Sequence, residues 1–272
     1  MTGQGGLPGR LPWCEDDDIV RSTTMPVHDD KAFLGFRFAQ GSHEALTRRI
    51  ETLSRQSYGF VITPNVDFVT RADQDPAIKA VYDHAALQIC DSRVLAKLAG
   101  MTGVALDVYP GSDLVADLLA NNMMHNIGII GPSHDDWRTL VARFPKARTT
   151  FIASPGSMAV GSEAWSACLH DAADADWDIL LVCFGSPKQE RFADALTAFR
   201  QRPGVALCVG ASIDFLTDRQ RRAPVWMQKS GVEWLHRLMS NPARLWRRYL
   251  IDCPRIFRLV LREKAGRRAS GI

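Results

Sequence analysis

The chain has 272 residues, 46% apolar and 23% charged, which is typical of a soluble globular protein with one large or two modest domains. Its six cysteines are scattered without a C-x-x-C pair, which favours reduced, buried thiols over a disulfide framework. No window approaches the roughly 20 apolar residues of a membrane span, and the first residues lack the apolar core of a signal peptide. Residues 1–30, rich in Gly, Pro and acidic residues, are predicted to be a mobile leader.

The net charge of +3 conceals an acidic body and a basic tail. Residues 1–218 carry 19 Lys and Arg against 27 Asp and Glu, a net charge of −8. Residues 219–272 carry 14 against 3, a net charge of +11. A tail of this kind implies an anionic partner, which is phosphate, nucleic acid or a lipid surface.

Short apolar runs that end in turn residues recur along the chain, and stretches with helical spacing separate them. The runs are residues 59–65, 86–91, 127–132, 149–156, 178–187 and 205–214. Near-continuous apolar strands that alternate with helices predict a parallel sheet covered on both faces. We therefore interpret residues 31–218 as one Rossmann-like, doubly wound α/β domain.

Ligands of such a sheet bind outside the carboxyl ends of its strands, so the residues that follow the apolar runs are candidates for a site. These candidates are Thr63, Asn65, Asp91, Gly131, Gly185, Lys188, Gln189, Gly210 and Asp214. The free N–H groups of a helix that starts behind Gly185 would suit a phosphate or a sugar.

The stretch GSPKQE (185–190) also has a purely local interpretation. Ser186 can cap a helix, Pro187 suits its first position, and Gln189 stands where it would close a capping box. Spacing alone does not decide between capping and ligand binding.

Asp91 likewise has two interpretations. A carboxylate at the end of a strand can cap the following helix, which the spacing favours. The alternative is a general base within reach of a substrate hydroxyl held over the edge of the sheet.

Several common sites are missing from the sequence. It contains no P-loop, no G-x-G-x-x-G fingerprint, no H-E-x-x-H and no Cys/His zinc spacing. The acidic run at 16–18 lies in the leader, and the run at 174–178 precedes a strand, at the edge opposite the expected site. We therefore predict neither a metal nor a cofactor.

The basic tail is predicted to form helices broken at prolines. Asn241-Pro242 should end one helix and begin the next, and Pro254 should kink or break the second. Apolar residues at helical spacing alternate with arginines over residues 244–262, which fits either a helix with a solvated Arg face or a segment on an anionic membrane. No nucleic-acid-binding motif is present, and the pattern favours the membrane.

Five segments in this order carry a family resemblance: TPNVDFV (63–69), ICDSRV (89–94), GSPKQE (185–190), VGASIDF (209–215) and the run from RAPVW to RRYL (222–250). They are similar to the WecG/TagA/CpsF family of glycosyltransferases over residues 31–250. The resemblance implies an inverting, metal-independent transfer of a sugar from a UDP donor to a polyprenyl-diphosphate-linked saccharide, in cell-surface polysaccharide biosynthesis. It places the enzyme in the cytoplasm, peripheral on the inner face of the cytoplasmic membrane.

The resemblance also assigns roles to residues. Asp91 matches the proposed base of the family and Thr63 its active-site threonine, with Asn65 beside it. Gln189 matches the glutamine near the donor. Three arginines of a basic appendage (219–272) match those that reach the diphosphate: Arg237, Arg244 and Arg247. Without a divalent ion, guanidinium groups suit the charge of departing UDP.

Two departures leave the donor open. Ser92-Arg93 follows Asp91 where many members have Gly, and VGASID stands where a double Gly is common. Arg93 could contact a donor carboxylate or phosphate, or form a simple salt bridge. N-acetylmannosamine, its uronic acid and glucose all remain candidate sugars. The alternatives to a transferase are an epimerase-like enzyme acting on the nucleotide sugar and a peripheral membrane scaffold without catalysis.

Overall fold

The computed structural model describes residues 29–121, 124–220, 223–224, 227, 235, 238–239, 242–247 and 253–269. Residues 1–28 of the predicted leader and Arg237 lie outside the described residues. Of Arg244 and Arg247 only the helical backbone is described.

The described chain is an α/β fold. Its strands are β1 Lys31–Phe33, β2 Phe36–Phe38, β3 Gly59–Ile62, β4 Leu87–Gln88, β5 Asn126–Ile130, β6 Arg148–Ile152, β7 Ile179–Val182 and β8 Val205–Cys208. Its helices are α1 His43–Leu53, α2 Val66–Gln74, α3 Pro76–Asp83, α4 Arg93–Gly100, α5 Gly111–Asn121, α6 His134–Arg143, α7 Glu163–Asp174, α8 Lys188–Leu196, α9 Ser212–Leu216, α10 Pro242–Arg247 and α11 Arg255–Ala269.

Six parallel strands form the main sheet, in the order β4-β3-β8-β7-β5-β6. Every residue of β7 and β8 is buried, and the core divides into two apolar clusters. Alternate side chains of a strand point to opposite faces, so a sheet with helices on both faces needs apolar residues throughout its central strands. This confirms the predicted Rossmann-like α/β class.

A two-stranded hairpin, β1–β2, was not predicted. Leu34 and Gly35 form its turn with φ of 49° and 76°, the left-handed conformation that two-residue hairpin turns require. The hairpin buries Phe33, Phe36 and Phe38. The non-glycine residue in the turn and the short strands explain why the sequence pattern missed it.

The acidic run 174–178 lies at the amino edge of the sheet. Asp178 Oδ2 accepts from Asn126 N–H at 2.7 Å, and the Asp176 carbonyl accepts from Asn126 Nδ2 at 2.8 Å. The run therefore joins β5 to the start of β7, on the side away from the candidate site.

The two described helices of the tail begin where the prolines predict, α10 at Pro242 and α11 directly after Pro254. Helix α11 packs against α2 and buries Ile256 and Val260 in the core. Arg267 near its end donates to the Ala32 carbonyl at 2.8 Å. Within the described parts of the chain, no helix is both long and apolar enough to cross a membrane.

Candidate active site

Three neighbouring strands bring polar side chains to the carboxyl edge of the sheet. Thr63 follows β3, Asp91 lies three residues after β4, and Ser212 begins the helix after β8. Because β4, β3 and β8 are adjacent and parallel, the segments that follow them meet at one edge.

The three side chains gather around Gly111, the first residue of α5. The point that a Cβ on Gly111 would occupy is 3.4 Å from Ser212 Oγ, 3.7 Å from Thr63 Oγ1 and 3.8 Å from Asp91 Oδ1. We call Thr63, Asp91, Ser212 and Gly111 the Gly111 cradle. It unites the predicted base and the predicted threonine with Ser212, from the VGASIDF segment after β8, and with Gly111, which was not predicted.

Asp91 does not cap the helix that follows it, so the capping interpretation is wrong. Ser92 caps α4 by accepting from Leu95 N–H, and Arg93 is the half-buried first residue of that helix. Asp91 Oδ1 instead accepts from Gly111 N–H at 2.7 Å, at the start of α5. The positive end of the α5 dipole favours a negative carboxylate at this place.

The two hydroxyls of the cradle are buried and bound to the end of β8. Thr63 is 7% exposed and donates to the Cys208 carbonyl at 3.1 Å. Ser212 is 4% exposed and donates to the Val209 carbonyl at 2.6 Å. Asn65 lies beside them but caps α2, accepting from Asp67 N–H at 3.0 Å.

The capping box predicted for GSPKQE is also wrong. Helix α8 begins at Lys188 behind a cis Ser186-Pro187 bond, and no side chain caps it. Ser186 Oγ accepts from Arg71 Nη1 at 2.8 Å, while Arg71 Nη2 donates to Asp67 at 2.7 Å. The Ser186 side chain, which its spacing assigned to a helix cap, is instead hydrogen-bonded to an arginine of α2.

Gln189 connects the first turn of α8 to a loop at the edge of the sheet. Its Oε1 accepts from Gly210 N–H at 2.8 Å, and its Nε2 donates to Glu190 Oε1 at 2.6 Å. Gln189 is 3% exposed and Glu190 is fully buried. The pair therefore fixes the start of α8 to the loop after β8, next to Ser212.

Burial changes the acidity of Glu190. It raises the pKa of this carboxyl from 4.5 to about 7, against the lowering effect of the hydrogen bond from Gln189 and of the nearby Arg71. Glu190 is thus a buried group that changes protonation near neutral pH, one residue from a predicted donor-binding side chain.

The glycines at the strand ends differ in their surroundings. Gly131 has φ of 114°, and a Cβ there would lie 2.8 Å from the Cys183 carbonyl oxygen, so the protein itself requires glycine. At Gly185 a Cβ would meet nothing within 4 Å. Of these two candidate positions, only Gly131 requires glycine for a close backbone approach.

The remaining candidates lie on the same edge. The Lys188 ammonium lies 5.3 Å from the centre of the Phe184 ring, a cation–π distance. Asp214 is half-buried in the first turn of α9. Within residues 29–121, 124–220 and the described parts of the tail, no three His, Cys, Asp or Glu side chains are arranged to hold a metal ion.

A doubly wound sheet with a carboxylate and two hydroxyls at its carboxyl edge defines an α/β protein whose site suits a hydroxyl-bearing ligand. Comparison with known proteins specifies the class. The model of the glycosyl transferase WecG/TagA/CpsF family matches residues 31–270, so this chain belongs to that family and is a glycosyltransferase.

Two relatives carry a more specific name. An N-acetylglucosaminyldiphosphoundecaprenol N-acetyl-beta-D-mannosaminyltransferase of Bacillus spizizenii is 25% identical over 237 residues, which cover 84% of this chain and 89% of the relative. A protein of the same name from Bacillus subtilis is 32% identical over 96 residues, or 35% of this chain and 36% of the relative.

Proposed function

We propose that this glycosyltransferase transfers N-acetylmannosamine from a UDP donor to N-acetylglucosaminyl-diphospho-polyprenol, with inversion at the sugar carbon. The observation that carries the proposal is the meeting of Asp91 and Thr63 in the Gly111 cradle, in a chain whose relatives are named for this transfer. Among the three sugars compatible with the sequence, the relatives favour N-acetylmannosamine over its uronic acid and glucose.

The chemistry assigned to the cradle is a single displacement. The acceptor oxygen forms a bond to the sugar carbon while the bond from that carbon to the UDP phosphate oxygen breaks, and UDP leaves with the electron pair. Asp91 accepts the proton of the acceptor hydroxyl. An α-linked UDP sugar would give a β product by this route, which agrees with the beta linkage in the names of the relatives.

The departing diphosphate needs positive charge. We assign this role to Arg237, Arg244 and Arg247, because Arg pairs with two phosphate oxygens at once and its charge is independent of pH. Helix α10 contains two of the three. Arginine compensation of this kind makes a divalent ion unnecessary, so we propose a metal-independent transfer without a cofactor.

We further propose that the appendage, residues 219–272, docks on the anionic cytoplasmic face of the membrane. The support comes from α11, which buries Ile256 and Val260 but leaves Phe257 58% and Leu261 67% exposed. Arg258 and Arg262 are exposed one residue after each of these. Exposed apolar and basic side chains on one helix suit the interface of an anionic bilayer.

Point variants test the membrane proposal better than a truncation, because removing α11 would uncover the core around Ile256 and Val260. We expect Phe257→Ser with Leu261→Ser to weaken binding to vesicles of anionic phospholipid roughly 10- to 100-fold, since two apolar side chains no longer enter the bilayer. Met101→Ser is the matched control, at a methionine that is 61% exposed outside the appendage. Equal binding by all three proteins would contradict membrane docking through α11.

The transfer itself is tested by measuring UDP release from UDP-N-acetylmannosamine, its uronic acid form and UDP-glucose. Each donor is assayed with and without a short polyprenyl-diphosphate-N-acetylglucosamine, in EDTA. We expect release with UDP-N-acetylmannosamine that needs the acceptor and survives EDTA. Conversion of the donor without acceptor would indicate an epimerase-like enzyme, and loss of release in EDTA would overturn metal independence. Vesicle binding without turnover of any donor would indicate a scaffold.

A further inference from the structure

We propose that Ser212 is a third ligand-binding residue of the cradle. With Thr63 and Asp91 it forms a set of hydrogen-bond acceptors that binds sugar hydroxyl or N–H groups and not phosphate. The proposal rests on the proposed function only for the identity of the sugar.

The position of Ser212 is the first observation. Its Oγ is the nearest of the three cradle oxygens to the point over Gly111, at 3.4 Å. It reaches this place from β8, whereas Thr63 and Asp91 come from β3 and β4. Three strand ends thus direct oxygen atoms at one small volume, which glycine at position 111 leaves free of a side chain.

The hydroxyl protons are the second observation. A serine or threonine hydroxyl has one proton to donate and two lone pairs to accept with. Thr63 donates its proton to the Cys208 carbonyl at 3.1 Å and Ser212 donates its proton to the Val209 carbonyl at 2.6 Å. A carbonyl oxygen can only accept, so both hydroxyls turn lone pairs toward a ligand.

The third oxygen of the cradle carries negative charge. Asp91 adds a carboxylate oxygen, which also accepts hydrogen bonds. A phosphate oxygen carries negative charge and no proton, so three acceptors would repel it. A sugar hydroxyl or acetamido N–H donates and is bound. The cradle therefore selects the sugar, and the diphosphate must be held by positively charged groups elsewhere.

Ser212→Ala removes the acceptor with little disturbance of the fold. The Val209 carbonyl still accepts from the Ser212 backbone N–H, at 3.2 Å. Ser54→Ala is a matched control, because Ser54 is 3% exposed and its hydroxyl donates to the Glu51 carbonyl, also three residues earlier. Ser54 follows α1 and precedes β3, at the amino edge of the sheet.

Calorimetric titration separates the sugar from the phosphate without relying on turnover. For Ser212→Ala we expect the Kd of UDP to stay unchanged and the Kd of UDP-N-acetylmannosamine to rise roughly 3- to 10-fold, as for one lost hydrogen bond. If the bound group belongs to the acceptor, donor affinity stays unchanged and the KM of the polyprenyl-linked acceptor rises instead. Ser54→Ala should match the wild type in every titration.

Substrate analogues test the direction of the hydrogen bond. Replacing the bound sugar hydroxyl by hydrogen or by fluorine should weaken binding to the wild type equally, because fluorine cannot donate a hydrogen bond to Ser212. Neither replacement should further weaken binding of the analogue to Ser212→Ala. A fluorinated analogue that binds as well as the parent would show that Ser212 donates, and this would overturn the proposal.

The remaining outcomes are distinguishable. If Ser212→Ala binds UDP and the UDP-sugar equally more weakly than the wild type, Ser212 contacts the nucleotide or phosphate, which would overturn the proposal. In a further outcome, the wild type turns over its substrates and Ser212→Ala has the same two Kd values and the same acceptor KM. That result would overturn the proposal for Ser212 and leave the proposed function standing. A wild type that binds UDP but discriminates no sugar would overturn both.

Discussion

Gly111→Ala fills the cradle without straining the protein. The added methyl group would lie 3.4, 3.7 and 3.8 Å from three side-chain oxygens, which are ordinary van der Waals distances. Gly111 is the first residue of α5, and its φ lies outside the left-handed range. Alanine is therefore compatible with the backbone, and the Gly111 N–H that binds Asp91 is retained.

The effects on stability and on activity have opposite signs. Replacing a helical glycine by alanine reduces the entropy of the unfolded chain and stabilises a compatible site by about 0.4–1 kcal/mol. The methyl group stands between the ligand and the three acceptors of the cradle, and we expect the loss of two hydrogen bonds, each worth about 1–1.5 kcal/mol. We expect kcat/KM to fall roughly 30- to 160-fold, the equivalent of about 2–3 kcal/mol.

Thermal unfolding and transfer kinetics together check this prediction. The variant should melt at the same temperature as the wild type or higher, with strongly reduced transfer. Gly100→Ala is the control, a helical glycine at the end of α4 where a Cβ meets nothing within 4 Å. A folded Gly111→Ala enzyme with kcat/KM within threefold of the wild type would refute the reasoning that places substrate in the cradle.

Four further variants probe the packing behind the site. The native carboxyl of Glu190 keeps its proton to about pH 7 and the unfolded one only to about 4.5, so the wild type should lose stability relative to Glu190→Gln as the pH rises from 5 to 8. The loss is on the order of 2–3 kcal/mol in chemical denaturation, and parallel pH curves would contradict it. Gly131→Ala should cost about 2–4 kcal/mol in the same measurement and Gly185→Ala almost nothing, because only the first clashes with backbone. Gln189→Leu leaves Gly210 N–H and Glu190 without their partner and should cost about 2 kcal/mol, which an unchanged unfolding curve would disprove.

The parallel sheet and its carboxyl edge could be predicted because they follow from local patterns. Apolar runs define the strands, and the rule for doubly wound sheets then places Thr63 and Asp91 at one edge. The helix start at Pro242 was confirmed and a new helix begins directly after Pro254, where an interruption was predicted, since proline acts on its immediate neighbours.

The wrong predictions concern polar side chains that fit a hydrogen bond to a near neighbour in the sequence. In the structure these side chains bond a distant residue instead. Ser186 fits a helix cap by spacing, yet Arg71, 115 residues earlier, takes its oxygen. Gln189 fits a capping box, yet its oxygen accepts from Gly210, 21 residues later. Gly111 was missed because its importance lies in the space between strand ends, for which a PGSD turn (110–113) was the local signal. Ser212 lies in the VGASIDF segment that follows a predicted strand, but its side chain was not singled out.

The central claim is that Asp91 takes the proton of the acceptor hydroxyl, and Asp91→Asn tests it most directly. Asparagine keeps an oxygen for the Gly111 N–H but cannot act as the base. The control is Asp75→Asn, at a carboxylate that caps α3 through Ala77 and Ile78 N–H.

We would measure the transfer rate of N-acetylmannosamine at saturating donor and acceptor for both variants. The account predicts a loss of about 10²- to 10⁴-fold for Asp91→Asn, with UDP-sugar affinity kept and Asp75→Asn equal to the wild type. An Asp91→Asn enzyme that transfers the sugar within a few-fold of the wild-type rate would contradict the account.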